Sequence, residues 1–188
     1  MSSCVPGAVR PTIWRLKTEL EDLTKNPIEN LGLTVGLIDD NNLFEWQCTL
    51  EAPSDSLYAN GLFYLQIFFP ENYPEKGPEV CFKTPIYHLN VNPRNCEDSL
   101  SPEKLGHVCL NSLTCWDPKF TIRKILSNIF SMLYRANPES PYGLDKRDEF
   151  ENNRERYDEK AKYYTQIYAD PLRNGDPDFG DKWDFSLV

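Results

Sequence analysis

Six cysteines give this chain its most varied chemistry, because a thiol can act as a nucleophile, a metal ligand or a small buried hydrophobe. They lie at positions 4, 48, 81, 96, 109 and 115. Cys48 and Cys81 fall inside apolar, strand-like runs, so we expect both to be buried. Cys4 lies near the N-terminus, in a stretch that we expect to be loose. Three cysteines therefore remain for chemistry, and these are Cys96, Cys109 and Cys115.

A zinc site is one use for these thiols, since Cys96, His107, Cys109 and Cys115 offer four possible ligands. The spacing C-x12-C-x5-C contains no Cys-x-x-Cys pair and fits no common structural zinc site. We therefore expect no metal. No lysine or arginine adjoins Cys109, so the local charges do not by themselves predict an activated thiolate there.

The first half of the chain predicts one helix followed by a sheet. Residues 12–24 place Ile13, Leu16, Leu20 and Leu23 on one helical face, and Asn26-Pro27 ends that pattern. Strand-like runs follow at 31–38, 43–50, 61–69 and 79–83. The links between the first three are short and rich in turn-forming residues, which favours an antiparallel meander.

The second half predicts a long irregular stretch and then helices. Residues 84–120 show no regular pattern, and loops of such length in compact domains are usually functional or disordered. The clearest helix follows Thr121, a good N-cap, and stops before Asn137-Pro138. Its apolar stripe is Ile122, Ile125, Leu126, Ile129, Phe130, Leu133 and Tyr134. Residues 145–168 are helical in composition, with Phe150, Tyr157, Tyr164 and Tyr168 as inward-facing candidates. The predicted fold class is α+β.

Composition restricts the possible functions. The 188 residues carry 29 acidic and 20 basic side chains, a net charge of −9 that disfavours non-specific binding to nucleic acid. No apolar run reaches the roughly 20 residues of a membrane span, and the N-terminus lacks the apolar stretch of a secretory signal. We expect a soluble protein of the cytoplasm or nucleus with free thiols. Its predicted parts are an N-terminal extension (1–10), one catalytic domain (11–170) and an acidic tail (171–188).

Five short strings identify a family. They are YPEKGP at 73–78, TPIYHLN at 84–90, GHVCLNSL at 106–113, Trp116-Asp117-Pro118, and NPESP at 137–141. In this order, between a meander and a long helix, they resemble the ubiquitin-conjugating enzymes over roughly residues 10–170. The strings match that family's Tyr-Pro-x-x-Pro-Pro segment, its Tyr-His-Pro-Asn motif and the segment around its active cysteine.

The resemblance implies that Cys109 accepts ubiquitin, or a ubiquitin-like modifier, as a thioester from an activating enzyme. The modifier would then pass to a lysine of a protein substrate or to a ligase cysteine. ATP would be consumed by the activating enzyme, and the sequence has no phosphate-binding glycine loop, so we expect no cofactor here.

Several other positions match the family's active site. Asn90 would either donate an amide N–H to the oxyanion formed on transfer or hold the loop through backbone hydrogen bonds. His88 is expected to order the loop rather than act as a base. Ser140 stands where the family has Asp or Ser, and it can hydrogen-bond but not take a proton at neutral pH. Asn111 and Tyr87 are candidates for orienting the incoming lysine, although both can equally be packing residues.

Partner-binding positions are also implied. Glu75 and the Trp116-Asp117-Pro118 step correspond to two loops that meet the ligase in this family. Glu75 stands where an aromatic residue is common, which predicts a different or narrower set of ligases. Arg15 and Lys17 belong to a small basic group on the first helix that predicts an acidic partner surface.

Three departures from the family pattern leave alternatives open. Leu89 replaces the proline of the motif, which removes a φ restraint and restores an N–H. Residues 91–107 form a longer stretch before Cys109 than the family leads us to expect, either a neutral loop or a docking element. The spacing from Cys109 to Trp116 is one residue shorter than the family leads us to expect. In addition, Ser140 stands where the family often has an acid. An inactive scaffold of the same fold therefore remains possible, as does a conjugating enzyme dedicated to a ubiquitin-like modifier, which Asn111 and the N-terminal extension favour.

Overall fold

The computed structural model describes residues 9–28, 31–92 and 106–171. Cys4, Cys96, all but the first residue of the predicted tail, and most of the 91–107 stretch lie outside these residues. The elements, in chain order, are α1 (Val9–Lys25), β1 (Leu33–Leu37), β2 (Glu45–Glu51), β3 (Leu62–Phe68), β4 (Glu79–Phe82), α2 (Asn111–Thr114), α3 (Ile122–Tyr134), α4 (Leu144–Asn152) and α5 (Arg154–Tyr168). The predicted α+β class is confirmed.

The sheet is the predicted meander, with strand order β1-β2-β3-β4 and every pair antiparallel. Its register places Cys48 opposite both Val35 and Leu65. Along β2 the side chains alternate, with Trp46, Cys48 and Leu50 turned into the core. Cys81 in β4 is also buried, so both cysteines predicted to be hydrophobic core residues are inside.

Helix α3 provides the other side of the same buried cluster. Thr121 caps it, as predicted, by accepting a hydrogen bond from the Lys124 N–H at 3.3 Å. The buried stripe differs from the predicted one in its C-terminal half, where Phe130 is only half-buried, Met132 is buried and Tyr134 is 47 % exposed. Tyr134 is the last residue of the helix.

The charged segment after residue 143 forms two helices, in agreement with the predicted C-terminal helices. Asn153 ends α4 and caps α5 by accepting a hydrogen bond from the Arg156 N–H. Tyr157 and Tyr168 are buried as predicted, whereas Phe150 and Tyr164 are half-buried. This arrangement brings Tyr157 from α5 against the irregular stretch that follows β4.

Gly106, near the end of the 91–107 stretch, lies against the sheet. Its φ is +79°, and a Cβ there would stand 2.2 Å from the Phe82 carbonyl oxygen, so only glycine fits. Two backbone hydrogen bonds join Asn92 to the segment that begins at Gly106. They run from the Asn92 N–H to the His107 carbonyl and from the Gly106 N–H to the Asn92 carbonyl. Residues 107 and 108 then form single antiparallel bridges with Cys81 and Val91. The extended segment 106–109 is thereby held between the sheet and the loop of residues 83–92.

Candidate active site

Cys109 lies at the end of that extended segment, just before the one-turn helix α2. Its backbone N–H donates to the Asn90 carbonyl at 2.8 Å, which fixes the cysteine beside the TPIYHLN loop. The side chain is half-buried, and this burial raises the pKa of the Cys109 thiol. The sulfur is accessible to a partner, but in the free protein it is mainly a protonated thiol at neutral pH.

Asn90 has a fully buried side chain whose polar atoms all have partners. Its Nδ2 donates to the carbonyls of Asn137 and Ser140, each at 2.7 Å, and its Oδ1 accepts from the Asn137 N–H at 2.7 Å. An amide nitrogen has two N–H bonds, and both are used here. These contacts match the structural alternative for Asn90, in which it ties the loop to residues 137–140.

His88 is buried behind the loop and its tautomer follows from its neighbours. Nδ1 accepts from the Asn90 N–H at 3.0 Å, and Nε2 lies 3.0 Å from the Met132 carbonyl, which can only accept. Burial is the main cause that lowers the pKa of His88 to about 4, and the charge of Lys146 adds to it. These contacts match the loop-ordering role expected for His88, in which the imidazole is neutral.

Asn111, Ser140 and Tyr142 lie on the two segments that adjoin Cys109 and the TPIYHLN loop. The Ser140 hydroxyl lies 3.4 Å from Asn111 Oδ1, so the structure brings these two predicted residues together. Tyr142 donates its N–H to the Leu89 carbonyl at 2.7 Å. Burial, and secondarily the negative charge of a Cys109 thiolate, raise the pKa of Tyr142. Sequence reasoning missed Tyr142, and the only available signal was its position directly after NPESP.

Tyr87 is placed differently from these residues. Its hydroxyl donates to the Glu149 carboxylate, and its ring packs against Tyr157 and Tyr164 with centroids 5.3 and 5.5 Å away. The side chain is only 9 % exposed. These contacts match the packing alternative for Tyr87 and give it no direct path to an incoming lysine.

Lys146 is a buried cation that sequence reasoning also missed. Its Nζ donates to the carbonyls of His88 and Val91, each at 3.0 Å, and lies 5.3 Å from the centroid of the Tyr87 ring. It thus joins α4 to the loop of residues 83–92. Nothing in its local sequence distinguishes it from the exposed charges around it, because its burial depends entirely on how α4 docks.

The two loops predicted to meet a ligase are joined by Trp116. Its Nε1 donates to the Pro74 carbonyl at 2.6 Å, and its ring lies 5.8 Å from the Tyr73 ring. A Cβ at Gly77 would stand 2.8 Å from the indole, so glycine permits this close approach. Glu75 is exposed on the same pair of loops.

The second of these loops turns on Asp117. Its side chain accepts a hydrogen bond from the Lys119 N–H at 2.9 Å, and Pro118 is exposed. The structure therefore brings the loop that carries Glu75 against the loop that carries Trp116, Asp117 and Pro118.

Arg15 and Lys17 lie on different sides of α1, because two positions along a helix are about 200° apart. Arg15 pairs with the buried Glu19 and donates to the Phe120 carbonyl at 2.9 Å, whereas Lys17 is exposed. Glu19 also accepts from the Ile122 N–H at 2.6 Å and the Tyr73 hydroxyl at 2.7 Å. This buried carboxylate was missed, although its position in the apolar face of α1, three residues after Leu16, was a usable signal.

The candidate metal ligands are only partly visible. Cys115 is exposed, and His107 Nδ1 lies 4.0 Å from a Glu79 carboxylate oxygen. Within residues 9–28, 31–92 and 106–171, no three His, Cys, Asp or Glu side chains are grouped as metal ligands. Cys96 lies outside this part of the chain, so the expected absence of a metal stays a prediction.

Two further findings concern the whole chain. Among the helices of the described residues, none has the length and apolar character needed to cross a membrane. The family model for ubiquitin-conjugating enzymes matches residues 15–165, which span the four-stranded sheet, the TPIYHLN loop, Cys109 and α3. With the meander, the loop and the cysteine in the order that the motifs predicted, the chain belongs to the ubiquitin-conjugating enzyme family.

Proposed function

We propose that this protein accepts ubiquitin, or a ubiquitin-like modifier, from an activating enzyme as a thioester on Cys109 and passes it to a lysine or a ligase cysteine. One observation carries the proposal. A half-exposed thiol stands at the junction of the TPIYHLN loop, α2 and residues 137–142, within the conjugating-enzyme domain. The remaining cysteines of the described residues are buried in the sheet or lie on the surface, as Cys115 does.

The charging step is a thioester exchange. The Cys109 thiol loses its proton, its sulfur attacks the carbonyl carbon of the activating enzyme's thioester, and the activating enzyme's cysteine leaves as a thiolate. One carbon–sulfur bond forms as another breaks, so the exchange itself needs no ATP. Because burial raises the pKa of the Cys109 thiol, deprotonation is part of the barrier in the free protein.

The transfer step attacks the same carbonyl with an amine. A neutral lysine amine adds to the thioester, loses a proton, and displaces the Cys109 sulfur as the amide forms. Ser140 and Asn111 lie at the rim, where their oxygens can accept a hydrogen bond from the amine. Both N–H bonds of Asn90 are already directed at carbonyl groups, so its contribution would be to hold the rim in place.

The joined loops around Trp116 are the candidate ligase surface. Trp116 is packed between Tyr73 and Phe120, so it serves as the support, while Glu75 and Pro118 are the groups that a partner would touch. An exposed carboxylate at position 75 favours a ligase with a basic residue opposite. The cytoplasm or nucleus is the compartment in which these partners would be met.

A charging assay tests the proposal. The protein is incubated with an activating enzyme, ATP and each candidate modifier in turn, and is then separated on a non-reducing gel. We expect an adduct with at least one modifier that disappears with thiol reductant. C109A should abolish it, whereas C115A, which removes an exposed cysteine six residues later, should leave it intact.

The identity of the modifier that forms the adduct distinguishes a ubiquitin-conjugating enzyme from one dedicated to a ubiquitin-like modifier. Absence of an adduct with every cognate pair of activating enzyme and modifier would contradict the proposal and favour an inactive scaffold.

A further inference from the structure

The backbone N–H of Leu89 is buried and needs a hydrogen-bond acceptor. Leu89 is completely buried, and a buried amide without a partner costs free energy. It donates to the Tyr157 hydroxyl oxygen at 2.9 Å. Tyr157 lies on α5, 68 residues further along the chain.

The tyrosine hydroxyl belongs to a short chain of hydrogen bonds with one consistent direction. Tyr58 donates its O–H to the Tyr87 carbonyl at 2.9 Å, which leaves the Tyr58 oxygen free to accept. The Tyr157 hydroxyl lies 3.5 Å from that oxygen and can donate to it. Two buried phenols, from the β2–β3 loop and from α5, therefore hold the backbone at residues 87 and 89, on both sides of His88.

Tyr157 is itself held rigidly. It is 1 % exposed, and its ring packs against Phe150 and Tyr87 with centroids 5.0 and 5.3 Å away. A phenol fixed in this way can fix the peptide that it binds, because moving its oxygen would require moving the packed ring.

From Leu89 the constraint continues to the thiol in two short steps. The Leu89 carbonyl accepts the Tyr142 N–H at 2.7 Å, and the next carbonyl, that of Asn90, accepts the Cys109 N–H at 2.8 Å. A shift of the peptide at Leu89 would therefore move the backbone of both Tyr142 and Cys109.

We propose that Tyr157 is a positioning residue for the transfer reaction: its hydroxyl holds the Leu89 peptide and so sets the place of Cys109 and Tyr142. A proline at position 89 would have no N–H and a fixed φ, so it would not need this hydroxyl. The kinetic part of the inference depends on the proposed function, while the part that concerns the Leu89 amide does not.

A double-mutant cycle with Y157F and L89P tests the inference. Y157F removes one oxygen, which accepts from the Leu89 N–H and lies 3.5 Å from the Tyr58 hydroxyl, and L89P removes the N–H itself. Proline is smaller than leucine and leaves the same empty space in L89P and in the double variant Y157F/L89P. The effect of that space therefore cancels when these two proteins are compared. Y163F, which removes a phenol oxygen from a tyrosine that is 53 % exposed, is the matched control.

The first readout is the single-turnover rate at which charged protein loses its modifier to free lysine. Y157F should slow this rate about tenfold when residue 89 is leucine, the equivalent of one buried hydrogen bond. In the L89P background the same substitution should change the rate less than about twofold, and Y163F should leave it unchanged. Equal slowing by Y157F in both backgrounds would overturn the inference, because it would show that the oxygen acts on something other than the Leu89 N–H.

The second readout is hydrogen exchange at the Leu89 amide, which requires no activity and no L89P protein. Y157F should accelerate exchange at Leu89 more than at the amides of β2 and β3, which report any general loss of stability. Unchanged protection of Leu89 relative to those strands would overturn the inference. If the wild-type protein forms no thioester, the proposed function fails, and the exchange measurement still decides the role of Tyr157.

Discussion

Replacing Asn90 by alanine should destabilise the whole domain. The change deletes three hydrogen bonds of 2.7 Å, two to the carbonyls of Asn137 and Ser140 and one from the Asn137 N–H, at a side chain that is 0 % exposed. Each such bond contributes about 1 kcal/mol net, so N90A should lower the free energy of unfolding by about 3 kcal/mol. In a domain of this size that corresponds to a fall in Tm of about 6–12 °C.

Thermal and urea unfolding of the purified protein measure this effect. N90D should be at least as damaging, because one of its carboxylate oxygens would face two carbonyl oxygens instead of donating to them. Asn72 is exposed, so N72A serves as the matched control and should stay within about 0.5 kcal/mol of wild type.

The outcome that would refute this reasoning is specific. If N90A unfolds at the wild-type temperature but transfers its modifier much more slowly, the amide acts on the reacting carbonyl and not on the loop. Loss of stability together with loss of transfer agrees with the structural role, since residues 137–140 would no longer be tied to the loop.

Three further predictions concern the loop and the thiol. The pKa of buried His88 is lowered to about 4, so the neutral ring stabilises the fold above pH 6.5, and this contribution is lost as the pH falls from 6.5 to 4. Over that interval the free energy of unfolding, measured in urea titrations, should fall by about 3 kcal/mol more for wild type than for H88N. Because burial raises the pKa of Cys109, its alkylation by iodoacetamide, followed by peptide mass spectrometry, should keep rising with pH beyond 8.5, and a plateau near pH 7 would contradict this. K146M leaves the carbonyls of His88 and Val91 without their Nζ donor and should cost about 2 kcal/mol in urea unfolding, whereas K124M, at an exposed position on α3, should cost little.

The elements of this fold were predictable where one local pattern determines them. The 3.6-residue period after Thr121 and the four apolar runs before residue 84 identified α3 and the sheet, because burial of one face leaves a regular trace in the sequence. The position of the break between α4 and α5, at Asn153, was not predicted, since the residues on both sides of it are charged and form helices equally well.

The site was less predictable because its contacts join distant segments. The sequence motifs pointed to Cys109, Asn90 and Ser140, but the two carbonyls that accept from Asn90 lie 47 and 50 residues further along the chain. Lys146 and Tyr157 reach the loop from α4 and α5 in the same way. Their roles depend on how the last two helices pack against the loop, and no local sequence pattern predicts that packing.

The identity of the nucleophile is tested most directly by the C109S protein. A serine at position 109 that accepts the modifier forms an oxyester, which withstands thiol reductant where a thioester does not. Intact mass spectrometry after charging should show a reductant-sensitive adduct on wild type, a reductant-resistant adduct on C109S, each heavier by one modifier less one water, and no adduct on C109A. An adduct on C109A, or one on C109S that reductant removes, would place the modifier on another residue and contradict the account.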